Sequence, residues 1–189
     1  MKLILRKYIQ YKFFNSFFTG ISVGSIFVIY EPLKPSIFSL GGILLAIGML
    51  IVAKFYDVLL NIKKYFLIAL FVELIMLTLI TIFLIKPYSY TTALLVYSGY
   101  QLTFMFGAYL VRAETLIVKK RKFLTLVDES KQFGYLFGMF VSYLFYKFLD
   151  FLSITDKKIQ VYNLHFLLFL IEAIIIYLFI KSFKGRKND

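Results

Sequence analysis

The chain has 189 residues, of which 61% are hydrophobic and only 17% charged, a balance far more apolar than a soluble domain carries. It has no cysteine and a single histidine, which excludes a disulfide framework, a Cys-based metal site and a multi-His site. The net charge of +12 is placed almost entirely in gaps between apolar runs, so it reads as an orientation and lipid-headgroup signal and not as a nucleic-acid footprint.

Residues 1–12 are basic (Lys2, Arg6, Lys7, Lys12), and no small-residue cleavage site ends the apolar run that follows, so that run is expected to stay as the first span. Six such runs follow one another at 13–30, 37–55, 65–85, 92–111, 133–151 and 162–180. Each is close to the ~20 residues a helix needs to cross about 30 Å of hydrocarbon. They are apolar on all sides and lack the period-two alternation of a membrane barrel. The expected fold is all-α: one domain over 1–189, a polytopic membrane protein with six transmembrane helices.

The gaps set the orientation. Lys2, Arg6, Lys7 and Lys12 precede the first run, and Lys54, Lys63 and Lys64 lie between the second and third. Arg112, Lys119, Lys120, Arg121, Lys122 and Lys131 lie between the fourth and fifth, and Lys181, Lys184, Arg186 and Lys187 follow the sixth. The other gaps hold only Lys34, Lys86, Lys157 and Lys158, with Lys147 near the end of the fifth run. This positive-inside imbalance predicts cytoplasmic termini in a cell inner membrane. Glu31-Pro32-Leu33-Lys34-Pro35 and Lys86-Pro87-Tyr88 read as tight outside turns.

Polar residues inside the runs carry the functional information, because each must find a partner or face water. The first run places Asn15, Thr19, Ser22 and Ser25 on one helical face, and the fourth does so with Ser98, Gln101, Ala108 and Arg112. Asn15, Thr19, Ser22, Gln101 and Arg112 are therefore candidates for a substrate path; backbone or interhelical hydrogen bonding is the competing reading. Runs two and five carry small residues at helix-packing spacing: Gly42 with Ala46, and Gly134, Gly138 and Ser142. Glu73 and Glu172 fall near the middles of runs three and six, with His165 two turns before Glu172 on the same face. These glutamates read either as proton- or ion-coupling groups or as hydrogen-bonded struts between helices. A further charged cluster, Asp57, Arg112, Glu114, Asp128, Glu129 and Lys131, is expected at the cytoplasmic helix ends, with Asp57 pairing with Arg112.

Ala53-x-x-x-Asp57 followed by Lys63-Lys64 resembles the segment joining helices 2 and 3 of the major facilitator superfamily. The stretch from Phe106-Gly107 through Arg112 and the Lys119–Lys122 turn to Gly134-Tyr135-Leu136-Phe137-Gly138 is similar to that family's passage from helix 4 to helix 5. Ala53 stands where the family usually has its first glycine, the second glycine is missing, and the basic pair comes about two residues late. The resemblance implies one six-helix half of a transporter, with helices 1 and 4 along the substrate path, 2 and 5 facing a second half, and 3 and 6 outside.

The expected function is thus transport of a small solute by a homodimer, or by a heterodimer with a similar six-helix half, whose contact runs through spans two and five. The alternative is a non-transporting membrane subunit or scaffold that anchors or assembles a partner through its basic cytoplasmic face. No His/Asp constellation, nucleophile motif or phosphate-binding glycine loop points to an enzyme, and no cofactor, metal or nucleic acid is expected.

Overall fold

The computed structural model describes residues 1–184 and is helical almost throughout. Helix α1 (Leu5–Ser22) is interrupted at Val23 and Gly24 and resumes as α2 (Ser25–Ile29). Helix α3 (Pro35–Lys54) starts on a proline, whose fixed φ suits the first turn and whose missing N–H would have no partner there. The short α4 (Tyr56–Leu59) leads into α5 (Ile62–Ile85), capped by Asn61, whose side chain accepts the Lys64 N–H at 3.0 Å. Ser89 caps α6 (Tyr90–Met105) through the Thr92 N–H at 3.1 Å, and α6 breaks at Phe106 before α7 (Gly107–Val118). Helices α8 (Arg121–Phe151) and α9 (Lys157–Lys181) complete the bundle; Asp156 caps α9 by accepting the N–H groups of Lys158 at 2.7 Å and Ile159 at 3.1 Å.

Four of these rods are long and apolar enough to cross a membrane: Pro35–Lys54, Ile62–Ile85, Tyr90–Val118 and Lys157–Lys181. They coincide, within a few residues at their ends, with the runs at 37–55, 65–85, 92–111 and 162–180. The runs at 13–30 and 133–151 fall on α1 with α2 and on α8, which do not join those four. Arg6, Lys7 and Lys12 lie in α1, and α8 opens on charged residues, which dilutes both helices.

Strand β1 (Lys2–Leu3) pairs antiparallel with β2 (Phe183–Lys184), and the Ile4 N–H donates to the Ser182 carbonyl at 2.8 Å. These segments therefore lie at one end of the bundle; Arg186 and Lys187 are outside the described residues. The α4 turn lies at the same end, where the Tyr109 hydroxyl donates to the Leu59 carbonyl at 2.9 Å. The turns after α2, α5 and α8 meet at the other end: Tyr88 donates to the Lys158 carbonyl, and Lys158 Nζ lies 3.9 Å from Glu31.

The helix pairing has an internal symmetry. Helix α1 packs along α8 and against α9, α6 packs along α3 and against α5, and α5 packs against α9. Exchanging α1, α3 and α5 for α6, α8 and α9 leaves this set of pairs unchanged. Two three-helix units, α1 with α3 and α5 and α6 with α8 and α9, therefore share one pairing pattern.

The α1–α8 seam is the closest contact. A Cβ added at Gly134 or Gly138 would collide with the carbonyl oxygens of Phe13 and Phe17, and one at Gly20 with that of Tyr135. Ser142 and Ser130 on α8 donate to the carbonyls of Ile21 at 3.2 Å and Ile9 at 3.0 Å. Gly134 and Gly138 thus pack helices as expected, but inside the chain, and they are not free to form the contact between two copies. On α3 the expected pair is also displaced. Gly42 faces open space and Ala46 is exposed, whereas Gly41 and Gly48 receive Tyr97 and Met105 of α6.

Helix α9 is the most deeply buried of the four long apolar rods, with Leu164, Leu168 and Ile175 fully covered. It packs against both α1 and α5.

Candidate functional site

A cavity of about 330 Å³ opens at mid-length between α1, α5, α6 and α9. Its polar lining comes from Asn15, Thr19 and Ser22 on α1, Glu73 on α5, Tyr100 and Thr103 on α6, and Glu172 on α9. The remaining wall includes Phe18, Ile26, Val72, Met76 and Phe104. Thr19, Val23 and Phe104 are exposed, so the cavity has an open side along the α1–α6 edge. Both interrupted helices border it: Val23, at the α1–α2 break, lines the wall, and Phe104 is two residues before the break at Phe106.

The α1 stripe has its polar atoms paired largely within the chain. Asn15 Nδ2 donates to Glu73 at 3.1 Å (Oε1) and 3.4 Å (Oε2), and the Tyr11 hydroxyl donates to Glu73 Oε1 at 2.6 Å. Thr19 and Ser22 donate to carbonyls one turn back, of Asn15 at 3.1 Å and Thr19 at 3.2 Å, and Thr103 donates to Tyr100 at 2.8 Å. Those hydroxyl protons are used by backbone, which leaves oxygen lone pairs as the groups a ligand would meet. The carboxyl group of Glu172 faces that of Glu73. Its Oε1 receives no hydrogen bond among the described residues, although Glu172 is only 1% exposed.

Toward the end where β1 and β2 pair, a second polar cluster adjoins the cavity. Glu114 on α7 is buried and gripped from two sides, by Lys12 Nζ of α1 at 2.6 Å and by Lys131 of α8. The Tyr8 hydroxyl donates to Glu114 Oε2 at 2.5 Å and is also bonded to Tyr65 of α5. Lys131 Nζ reaches Asp128 Oδ1 at 3.1 Å as well. One carboxylate thus ties α1, α7 and α8 together, with α5 joined through the tyrosine pair. The burial of Glu114 makes these contacts more consequential than an exposed pair would be.

Of the residues singled out in the sequence, Asn15, Thr19, Ser22, Glu73 and Glu172 meet in the cavity. Gln101 and Arg112 do not. Gln101 points into a separate groove of about 180 Å³ between α3 and α6, where its Oε1 has no hydrogen-bond partner among the described residues. Arg112 is exposed past the helix break, its guanidinium 5.3 Å from the Tyr56 ring centre. Gln101 lies before the break at Phe106, on the α3 side of α6, and Arg112 lies beyond that break on α7. The charged cluster likewise forms from Glu114, Asp128 and Lys131 only. Asp57 makes no ion pair with Arg112 or with any other described residue, and Glu129 is exposed and makes none.

His165 is a satisfied core residue: its Nδ1 is 2.7 Å from the Val161 carbonyl, and its ring packs tilted against Phe83 with centroids 4.1 Å apart. Tyr65, Tyr100 and Thr103 were not singled out in the sequence, and Lys12 was read only as an orientation charge and Tyr8 and Tyr11 not as site residues. Tyr11 and Asn15 are one turn apart on α1 and so share a face, a spacing that could have found Tyr11. Comparison with family models, curated proteins and solved structures found no match for the chain.

Proposed function

We propose that this chain is a transporter-like protein of a cell inner membrane, which binds a small solute in the α1–α5–α6–α9 cavity and passes it across the bilayer. The observation that carries the reading is a mainly apolar cavity whose polar lining includes two glutamates at mid-length of the bundle. Groups of this kind cost several kcal/mol each in hydrocarbon unless they serve a hydrated or ligand-filled space. Discontinuous helices beside a midplane site and a repeated pairing of three-helix units support the same reading, since both recur in secondary transporters.

In this account α1 with α2 and α8 also cross the membrane, giving six spans with cytoplasmic termini. Support comes from the surface of α8, where Phe133, Leu136, Phe137, Phe140, Leu144, Phe148 and Phe151 are all exposed. So broad an apolar face belongs against lipid or another apolar helix. The open α1–α6 edge is where a second six-helix unit, a copy of this chain or a similar half, would close the path. The scaffold reading stays second: Lys63, Lys64 and Lys119–Lys122 are exposed on the end where the chain's two strands pair, ready for an acidic partner.

Hydration of the cavity separates the two. Single cysteines at Ser22 and Thr103, in this cysteine-free chain, should react with a water-soluble thiol reagent in native membranes, while one at Leu50 on the exposed face of α3 should not. Failure of both cavity positions to react would remove the transporter reading and leave the scaffold.

A further inference from the structure

We infer that the cavity takes a small organic cation and that the Glu73–Glu172 pair gives up a proton as it binds; this rests on the cavity being a solute site. The two carboxyl groups come from different helices and meet on one wall. Glu73 is supplied with donors by Tyr11 and Asn15, whereas Glu172 Oε1 has none among the described residues and is buried beside the cavity. A carboxylate so placed without donor or cation is costly. In the empty cavity a proton held between the two carboxyl groups meets that need, and in the filled one a positive ligand does.

The groups facing the pair leave no protein cation to do this. Helix α1 presents Tyr11 and, next to it in the chain, Lys12, whose ammonium lies 2.6 Å from Glu114 and is already engaged there. Helix α6 presents Tyr100, and on α9 itself His165 is two turns away, bonded to Val161. Two carboxyl groups repel an anion. The walls of Phe18, Phe104, Met76 and Tyr100 suit the hydrocarbon of an amine and offer aromatic faces to its charge. A volume of about 330 Å³ is at the small end of the range for ligand sites, about 300–1,000 Å³. The exchange balances simply: the cation enters, one carboxyl O–H bond breaks, and its proton leaves to water with no change of oxidation state.

Benzyltrimethylammonium, a cation with no exchangeable proton, tests this when titrated into the purified full chain in weakly buffered detergent, with pH read by an indicator. The expected result is saturable binding with release of about one proton per cation, so that affinity rises about tenfold per pH unit where the pair exchanges. Glu172→Gln should weaken binding at least tenfold and abolish proton release, and Glu172→Asp should retain both, with thermal unfolding reporting that each variant is folded. If Glu172→Gln does not fold, the wild-type proton count and pH slope decide alone. Cation binding without proton release overturns the exchange. Binding of benzyl alcohol or benzoate in place of the cation overturns the ligand class while leaving a solute cavity. No binding of any of the three overturns the inference, and reactivity of the Ser22 and Thr103 cysteines then decides separately whether the cavity reading survives.

Discussion

Lys12 of α1 and Glu114 of α7 form an ion pair 2.6 Å long at the end of the bundle where the first and last strands pair, and Glu114 is held from the far side by Lys131. The pair fastens the first three-helix unit to the second. It closes that end of the structure below the cavity, which makes it the contact that must yield if a solute is to leave on that side.

Removing one partner of a buried pair strands the other charge. Glu114→Ala, which leaves Lys12 and Lys131 facing one another, should lower stability by about 3–5 kcal/mol. Adding Lys12→Met to it should recover part of the loss. Unfolding of the purified protein checks both; equal stability of Glu114→Ala and wild type would show that the cluster is not a fastening.

Substitutions at glycine distinguish a seam inside the chain from a contact between copies. Gly138→Leu drives a side chain into the Phe17 carbonyl and should cost more than the 1–3 kcal/mol typical of overpacking, because backbone cannot rotate away as a side chain can. Gly42→Leu, with open space around it, should leave the monomer's thermal stability nearly unchanged. If Gly138→Leu yields a stable monomer and only dissociates a dimer, the α1–α8 seam is misassigned.

Much of the helix layout was legible in the sequence because apolar runs end at residues that stop helices or cannot stay in lipid: Pro35, Pro87, the Lys119–Lys122 turn and Asp156. The breaks at Val23–Gly24 and Phe106 were not, since neither carries a proline and one glycine within an apolar run is ordinary. Gly134 and Gly138 announced a close helix contact, yet spacing alone cannot say which helix fills it. Lys12 was misjudged for a related reason. A charge beside a span reads as a solvated orientation signal, and only the fold brings Lys12 onto the buried Glu114, itself expected in a charged cluster. Glu73 and Glu172 were conspicuous as lone carboxylates in apolar runs, but their meeting depends on α5 and α9 being neighbours.

Asp57 and Arg112, expected to pair, should behave independently. Asp57→Asn and Arg112→Gln should each change stability by no more than about 0.5 kcal/mol, as exposed side chains that make no ion pair do. The double variant should be the sum of the two. A coupling above about 1 kcal/mol in unfolding would mean that the two ends approach in a second conformation.

Tyr11→Phe removes one donor from Glu73 while preserving the ring that packs against Phe179 with centroids 4.9 Å apart. Loss of a hydrogen bond to a buried carboxyl group should cost about 1–3 kcal/mol in unfolding, and Asn15→Ala a comparable amount. Stability unchanged in both would mean that Glu73 is satisfied by other groups.

Orientation follows from the charge distribution. In intact cells an impermeant thiol reagent should label cysteines placed at Lys34 and Asp156 and spare one at Lys122. The reverse pattern would invert the topology and move the Lys12–Glu114 pair to the outer end.

Passage of a solute through the cavity requires that one residue be reachable from both sides. A single cysteine at Ser22 should react with an impermeant thiol reagent added to intact cells and, separately, to inside-out vesicles, with Glu114→Ala speeding reaction from the cytoplasmic side. Reaction from one side only, unchanged by Glu114→Ala, would contradict transport and describe a one-sided binding pocket.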